Sequence, residues 1–595
     1  MSATQKKLSS LREKMKSLGI DAFVVPSNDP HFSEYTAKRW KTRSYLSGFT
    51  GSSGILAVTS HRAALWVDSR YYIQAENQLQ DSGIEMIKLP SSGRERIDEA
   101  WLKEHLPAGA KVGVDGNLFS VSRYNSMKKA LHPLELVCAN DIFDELWLDR
   151  PALPHEAAYL LPDSITGKSR SEKLSDLTRA TGGDMYIVSA LDEIAWLLNM
   201  RGADVNCNPI VISYFIANYK GNHLFVASGK LNDEDCRSLQ ADGIYLHDYA
   251  DFDGFVSAID KSTSVKINSG KLNVRTYRML VESGVGISEE DDQNGVLASM
   301  KAVKNAVEIE GFRRCMITDG IAMVRFAKWL SENVGKTKIS ETDAAGKLQE
   351  FRSAGRDYRG LSFPTIAGYK ANAALPHYSA REESAAELCA EGFFLVDSGG
   401  QYLTGTTDIT RTFHLGKPSS EEKEDYTLVL KGMIGLSMAK FPKNTRGSQL
   451  DFAARRFLWE RGKNYLHGTG HGVGHFLNVH EGPQSIRAEE NPVALLPGMV
   501  VSNEPAVYIG GKYGIRIENL LLCRHCCSSD FGDFYSFETL TLCPIETKSI
   551  DFSLMRSEEI AWLNAYHKRV YEALAPEMNE DERDFLRSRT KEISV

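Results

Sequence analysis

Five stretches in the second half of the chain, the first two forming one feature, carry acids and histidines in patterns that chemistry can use. The first, Glu391-Gly-Phe-Phe-Leu-Val-Asp397-Ser-Gly-Gly, is an apolar run that ends in an acid and a glycine-rich turn. The next, Thr407-Asp408-Ile-Thr-Arg-Thr-Phe413, alternates Asp408, Thr410 and Thr412 with Ile409, Arg411 and Phe413, which is the period of a strand. Adjacent strands joined by a loop would set Asp397 and Asp408 close together. Two ionised carboxylates at the apolar end of a core strand repel each other and lose hydration unless cations compensate. Two acids alone are also a common surface pattern, so this pair by itself decides nothing.

The second feature is denser. His467, His471, His475 and His480 are four of the chain's 15 histidines, packed into one short segment. The first three are spaced to stripe a helix, but Gly468, Gly470, Gly472 and Gly474 alternate with them. That many glycines disfavour a helix and point to close backbone approach or unusual dihedrals. Histidine is the usual ligand and proton carrier near neutral pH. Third, the apolar run from Leu496 delivers Glu504 just before a proline. Fourth, Tyr513-Gly-Ile-Arg-Ile-Glu518 places Arg516 and Glu518 on one strand face and Ile515 and Ile517 on the other. Alone, that last pair reads as a salt bridge.

Together Asp397, Asp408, Glu504, Glu518 and one imidazole form a hard, oxygen-rich donor set. A lone zinc site uses fewer acids and more histidine or cysteine. Four negative charges match two divalent cations with a hydroxide left between them. Such pairs sit about 3.5–4 Å apart, lower the pKa of bound water and polarise a carbonyl. Among redox-quiet ions Mn²⁺ suits the set best, with Co²⁺ or Zn²⁺ as alternatives.

In order, the motifs VDSGGQY, TDITRTF, HGTGHGVGHFLNVHEGP, SNEPAVY and GIRIEN resemble the metal-binding motifs of the pita-bread metallopeptidases. The likeness is greatest to the aminopeptidase P family of the long, three-domain cytosolic type. SGFTGSSG, LWVDSRYYIQAE, LDEIAWLLNMRG and FETLTLCPIETKSID extend it over nearly the whole chain. The resemblance implies Asp397, Asp408, His471, Glu504 and Glu518 as ligands. Asp408 and Glu518 would bridge both metals, Asp397 would complete one site, and His471 with Glu504 the other. It further implies that the non-ligand histidines His377, His467 and His480 hold substrate carbonyls and stabilise the tetrahedral intermediate. Glu504 would shuttle the proton to the leaving nitrogen. Arg516 is expected to orient Glu518, and His475 to be structural.

The activity implied is hydrolysis of the N-terminal Xaa-Pro bond of small peptides by a metal-bridging hydroxide, in a cytoplasmic homodimer. The Xaa-Pro bond is a tertiary amide without an N–H, so a site for it needs a wall for the ring and a route to protonate a secondary amine. A prolidase restricted to Xaa-Pro dipeptides would use the same centre. A non-catalytic pita-bread binding module typically lacks the ligands, whereas all five positions here are filled.

The elements that position these residues are also partly readable. A chain of 595 residues suggests three or more domains at about 100–200 residues each. A helix pattern at Leu8, Leu11, Met15 and Leu18 leads into the apolar run Asp21–Val25. A similar run, KLSDLTRATGGDMYIV, starts at Lys173, and each is followed by a helix-like segment expected to end near Gly48 and Gly202. This weak internal repeat predicts two α/β domains, residues 1–155 and 156–300, parted near Asp149-Arg-Pro-Ala-Leu-Pro154. A catalytic domain, 301–595, would follow, opening with one long helix from Ser299 to about Val334 and closing with amphipathic helices after Ile550. The expected fold is therefore α/β and α+β: two creatinase-like N-terminal α/β domains, then a C-terminal pita-bread domain.

Composition excludes other classes. Net charge is 70 − 78 = −8, which argues against nucleic acid as the main partner, since phosphate binding needs a basic face. The N-terminus lacks the apolar core of a secretory signal, and no stretch approaches the roughly 18 apolar residues of a membrane span. Nine scattered cysteines make no disulfide framework and fit a reducing compartment. Cys523-Arg-His525-Cys526-Cys527 invites a zinc reading, but neighbours on a strand point to opposite faces and a second ligand pair is missing. Gly335-Lys-Thr337 lacks the earlier glycine of a P-loop, and no G-x-S-x-G nucleophile motif stands out.

Overall fold

The computed structural model describes residues 2–68, 71–89, 97–182, 184–218, 220–290 and 295–594. It divides into two compact units. One comprises Met1–Leu161 with Ser169–Leu297, the other Pro162–Lys168 with Ala298–Val595.

The first unit holds two six-stranded sheets of the same design. In the first, the spatial order is Glu85–Lys88, Ala63–Val67, Ile55–Thr59, Ala22–Val25, Lys111–Val114, Glu135–Cys138. In the second it is Ile244–His247, Asn222–Val226, Ser213–Ala217, Met185–Val188, Ser264–Asn268, Gly286–Glu290. Each sheet is built around its first strand in sequence, which pairs antiparallel on one side and parallel on the other. Phe23 faces Val58 and Gly113; Ile187 faces Ile216, and Met185 faces Val265. Both central strands are buried throughout, which is why both read as unbroken apolar runs. The preceding helices, Ala3–Ser17 and Arg170–Thr181, each start from a serine capping box, Ser2 with Gln5 and Ser169 with Glu172. The repeat suggested by the sequence is therefore real in topology as well as in pattern.

One detail of the repeat departs from expectation. The helix Thr42–Ser47 does end at Gly48, at a left-handed φ of 76°. Its counterpart Leu191–Leu197 ends well before Gly202, because Asn199 (φ 52°) takes the left-handed position. The chain then forms the strand Met200–Arg201. Gly202 serves another purpose, since a Cβ there would lie 2.7 Å from Val211 Cγ2.

In the second unit the expected single long helix is two, Val296–Ala302 and Ala306–Asn333. Asn305 breaks it. The Asn305 side chain accepts from the amides of Val307 and Glu308, while Glu308 accepts from the Asn305 amide. A capping box requires extended backbone at its first residue, and Asn305 has φ −77° and ψ 174°. The apolar periodicity runs through this break and hides it. The expected C-terminal helices are present at Ser557–Leu574 and Glu580–Arg589.

Two small sheets and a larger one frame the site. The strand Phe393–Ser398 lies between Ile366–Tyr369 and Ile409–His414. The six-stranded sheet runs Lys440–Pro442, Gly532–Thr539, Asn519–Ser529, Val500–Asn503, Gly470–Gly472, Glu481–Ile486. A ribbon of Ala506–Ile509 and Tyr513–Arg516 also contributes to the site. Phe312, Phe393, Tyr426, Met433, Val500, Ile515 and Leu520 belong to one core beneath these strands. Among the described residues no helix is long and apolar enough to cross a membrane.

Candidate metal centre

The acids arrive on strand ends. Asp397 closes a fully buried strand and faces Thr410 across the antiparallel pair, while Asp408 immediately precedes the partner strand. Both are buried, as is Glu518. His471 sits in the short strand Gly470–Gly472. Its Nε2 lies 3.4 Å from Asp408 Oδ2 and 3.5 Å from Glu504 Oε1. Its Nδ1 lies 2.9 Å from the Gly472 carbonyl, so Nδ1–H donates there and the Nε2 lone pair faces the carboxylates. Ligand atoms of Asp408, His471 and Glu518 all lie within 4.8 Å of one another, the one such group of three among the described residues.

The glycines of the histidine segment are explained by close approach. A Cβ on Gly470 would lie 1.9 Å from the Ser502 carbonyl oxygen, and one on Gly472 would lie 2.4 Å from that of Glu481. Neither glycine has a positive φ. This packing seats His471 beside the strand that leads to Glu504. The Ser502 hydroxyl ties the two, accepting from the His471 amide (3.0 Å) and donating to Glu504 Oε1 (3.2 Å).

The electrostatics are those of a site built for cations. Burial, reinforced by the neighbouring carboxylates, pushes the Glu518 carboxyl well above its ordinary range and Glu504 up to about 7. Asp397 is raised by burial as well, although Arg516 pulls it down. Asp397 Oδ1 and Glu518 Oε1 are buried and accept no hydrogen bond. Orphaned buried acceptors of this kind are expensive, more so when charged. Four carboxylates and one imidazole, with a single arginine to offset them, fit two hard divalent ions.

Arg516 does not meet Glu518 as the strand pattern implies. It forms a buried ion pair with Asp397, and its Nε donates to Thr410 Oγ1 at 3.1 Å. Thr410 in turn donates to Glu518 Oε2 at 2.8 Å. The strand ends at Arg516, and the Glu518 amide donates to Thr410 rather than continuing the ribbon. The shared-face argument therefore fails before it reaches position 518.

Among the other histidines, the His480 ring stands edge-on to His471, with centroids 4.3 Å apart. His467 places Nδ1 2.8 Å from the Gly468 carbonyl and 4.0 Å from Glu504 Oε2, and Nε2 2.9 Å from the Tyr508 hydroxyl. His475 is buried against Phe312, and a Cβ on Gly311 would lie 2.8 Å from its ring, which matches the structural role expected of it. His377 lies half-buried in the loop between the short helix Lys370–Ala374 and the strand of Asp397. That helix packs hard on the Arg516 ribbon, where a Cβ on Gly514 would strike the Ala373 carbonyl oxygen at 1.8 Å.

Tyr508 is the residue that sequence reasoning missed. Its hydroxyl accepts from Arg516 and meets His467, linking Asp397, Arg516, Tyr508 and His467 in one partly buried chain. Only the strand pairing reveals it. Tyr508 faces Gly514 across a two-stranded ribbon, which makes Arg516 its diagonal neighbour.

The fold and this carboxylate-rich centre define a pita-bread metallopeptidase carrying two creatinase-like domains. Family models agree with that class. Metallopeptidase family M24 matches residues 310–525 and its C-terminal region 533–593, while creatinase/prolidase N-terminal domain models match 7–146 and 149–308. Xaa-Pro aminopeptidase 1 of Dictyostelium discoideum is 38% identical, over 96% of this chain and 94% of its own. A probable Xaa-Pro aminopeptidase P of Laccaria bicolor is also 38% identical, over 98% of this chain and 92% of its own. The crystal structure of X-prolyl aminopeptidase from Caenorhabditis elegans, described as a cytosolic enzyme with a di-nuclear active site, superposes with a TM-score of 0.93. It is 33% identical, over 100% of both chains. The chain belongs to the Xaa-Pro aminopeptidases of metallopeptidase family M24.

Proposed function

We propose that the protein removes the first residue from small peptides that carry proline second, with two divalent ions held by Asp397, Asp408, His471, Glu504 and Glu518. The observation that carries this reading is the convergence of Asp408, His471 and Glu518 beside buried carboxylate oxygens that lack donors. Divalent ions bound there supply an activated water and polarise the scissile carbonyl. The chain's own groups do the rest.

Glu504, between His471 and His467, carries the proton from the attacking water to the leaving imino nitrogen. His467, His480 and His377 hold substrate carbonyls and the oxyanion of the tetrahedral intermediate. A substrate oxygen reaches His467 by displacing one of the two bonds that now hold its ring. Arg516 positions Asp397 directly and Glu518 through Thr410.

The finer assignments rest on chemistry and on the relatives. Oxygen-rich donors favour Mn²⁺ over Zn²⁺. Xaa-Pro specificity follows the relatives' names, and a tertiary amide suits a site that does not depend on the substrate's N–H. Nine free cysteines and a relative described as cytosolic support the cytoplasm. Exposed Phe452, Trp459 and Leu466 support a homodimer that covers them. We take the domains as 1–155, 156–300 and 301–595; family models matching 7–146, 149–308 and 310–525 support three segments in that order.

A substrate-length series tests the reading. Arg-Pro-Pro is expected to be cleaved to Arg and Pro-Pro, with activity lost on chelation and restored by Mn²⁺. Turnover of Xaa-Pro dipeptides alone would instead make the protein a prolidase. Fewer than one divalent ion per chain, unrestored by added Mn²⁺, would make it a non-catalytic binding module.

A further inference from the structure

The strand Asn519–Ser529 leaves the core as one arm of a hairpin with Gly532–Thr539. Leu520 to Cys523 are buried, but from Arg524 outward the arm faces solvent, and Phe531 at the turn is 90% exposed. In an unbroken strand Cys526 and Cys527 would project to opposite faces. Here the register shifts. His525 faces Tyr535 and Cys527 faces the next residue back, Phe534, so Cys526 is the extra residue of a β-bulge. Both residues of a bulge lie opposite one residue of the partner strand, so the bulge takes Cys526 and Cys527 out of the alternation that would part their thiols. Cys526 is half-buried, Cys527 is exposed, and neither forms a disulfide. No other cysteine in the chain has a cysteine as its sequence neighbour. Partial desolvation and the neighbouring Cys526 thiol hold the Cys527 thiol above its ordinary value, so it rests protonated at neutral pH rather than as a reactive thiolate.

We propose that Cys526 and Cys527 form a vicinal-dithiol site for soft, thiophilic centres that accept two sulfur ligands, of which trivalent arsenic and Cu⁺ are the type. Soft thiolates select such partners, and the second sulfur binds intramolecularly once the first has bound. With an organoarsenic(III) oxide the reaction balances. R–As=O and two Cys–SH give one cyclic R–As(S–Cys)₂ and one water. Two As–S bonds form, the As=O bond breaks, both thiol protons leave in the water, and no oxidation state changes. The site is eight residues along the strand from Glu518, on the order of 20 Å away, and is separate from the peptidase centre.

Phenylarsine oxide titrated into the reduced, metal-loaded, full-length protein tests this, read by intact mass and peptide mapping. The expected result is one arsenical per chain on the Cys526–Cys527 peptide. It should resist excess 2-mercaptoethanol and be released by 2,3-dimercaptopropanol. Cys526→Ser and Cys527→Ser should each weaken the adduct at least tenfold and leave peptidase activity unchanged, which also shows that the variants fold. Absence of a monothiol-resistant adduct on the unmodified protein, or its persistence in both variants, overturns the proposal.

Discussion

Two buried charged clusters, one in each compact unit, treat charge in opposite ways. In the first unit Lys230 and Asp204 form an isolated pair, each under a tenth exposed, and Asp204 also accepts the Ile212 amide at 2.7 Å. One cation meets one anion, and both carboxylate oxygens have donors. In the second unit Asp397, Asp408, Glu504 and Glu518 share one arginine, and two of their oxygens have no donor at all. A balanced pair of this kind fastens a fold. An excess of one sign, held rigidly and without donors, is stable only when something from outside supplies the missing charge. Removing a member of each cluster should therefore have opposite consequences.

The largest effect is expected at Asp408. Asp408→Ala should abolish peptidase activity, by at least about a thousandfold in kcat/KM, or roughly 4 kcal/mol of transition-state stabilisation. The metal-free fold should survive, because the change removes one of several mutually repelling carboxylates. Activity assays, metal analysis and a denaturant melt of the chelated protein check this together. Full activity in the variant would remove Asp408 from the centre.

The counterpart is Lys230→Ala. It leaves Asp204 buried and unpaired, and the expected loss is about 3–5 kcal/mol of stability. Molecules that remain folded should keep their kcat. A melt that barely moves would show that Asp204 finds water or protonates instead, and would weaken the contrast between the clusters.

How much of this was legible in the sequence follows the range over which each feature is set. Asp397 and Glu504 could be placed because each follows an apolar run, and Asp408 because it opens an alternating one; strand period is a local property. The glycines around His471 announced close packing for the same reason, although only the structure names Ser502 and Glu481 as what they approach. The repeat showed through because its central strands are buried on both faces. The break at Asn305 was hidden by an apolar stripe that continues on either side of it. Arg516 pairs directly with Asp397 and reaches Glu518 only through Thr410, because the strand stops two residues before Glu518, which depends on the neighbouring strand. Tyr508 carries no charge or ligand atom to draw notice, and its role exists only once two strands pair.

Tyr508→Phe sharpens the comparison within the second cluster. It deletes the hydroxyl between Arg516 and His467 and leaves the ring in place. The Arg516–Asp397 ion pair does not need that hydroxyl, so metal content should hold at the unmodified level. His467 loses one of its anchors, and kcat should fall about tenfold, the scale of about 1.4 kcal/mol for one hydrogen bond to a charged partner. Loss of metal along with activity would instead assign Tyr508 to holding the ligand Asp397.

The smallest effect concerns pH, and its response to metal sets the second cluster apart without any mutation. In the metal-free protein burial raises the Glu504 carboxyl to about 7, and Asp397 and Glu518 shift in the same direction. Their unfolded values lie near the ordinary carboxylate range of about 4. Between those limits the folded state binds more protons than the unfolded one, so stability falls as pH rises. The stabilising contribution is fully present below the unfolded value and is lost as pH climbs through the folded one. Thermal melts of the chelated protein should therefore show a midpoint that declines from pH 5 to pH 7.5. Divalent ions keep these groups ionised in the folded state, which removes the proton difference, so the slope should flatten when Mn²⁺ is restored. A slope that is the same with and without metal would mean that the excess charge of the centre is neutralised by something other than cations.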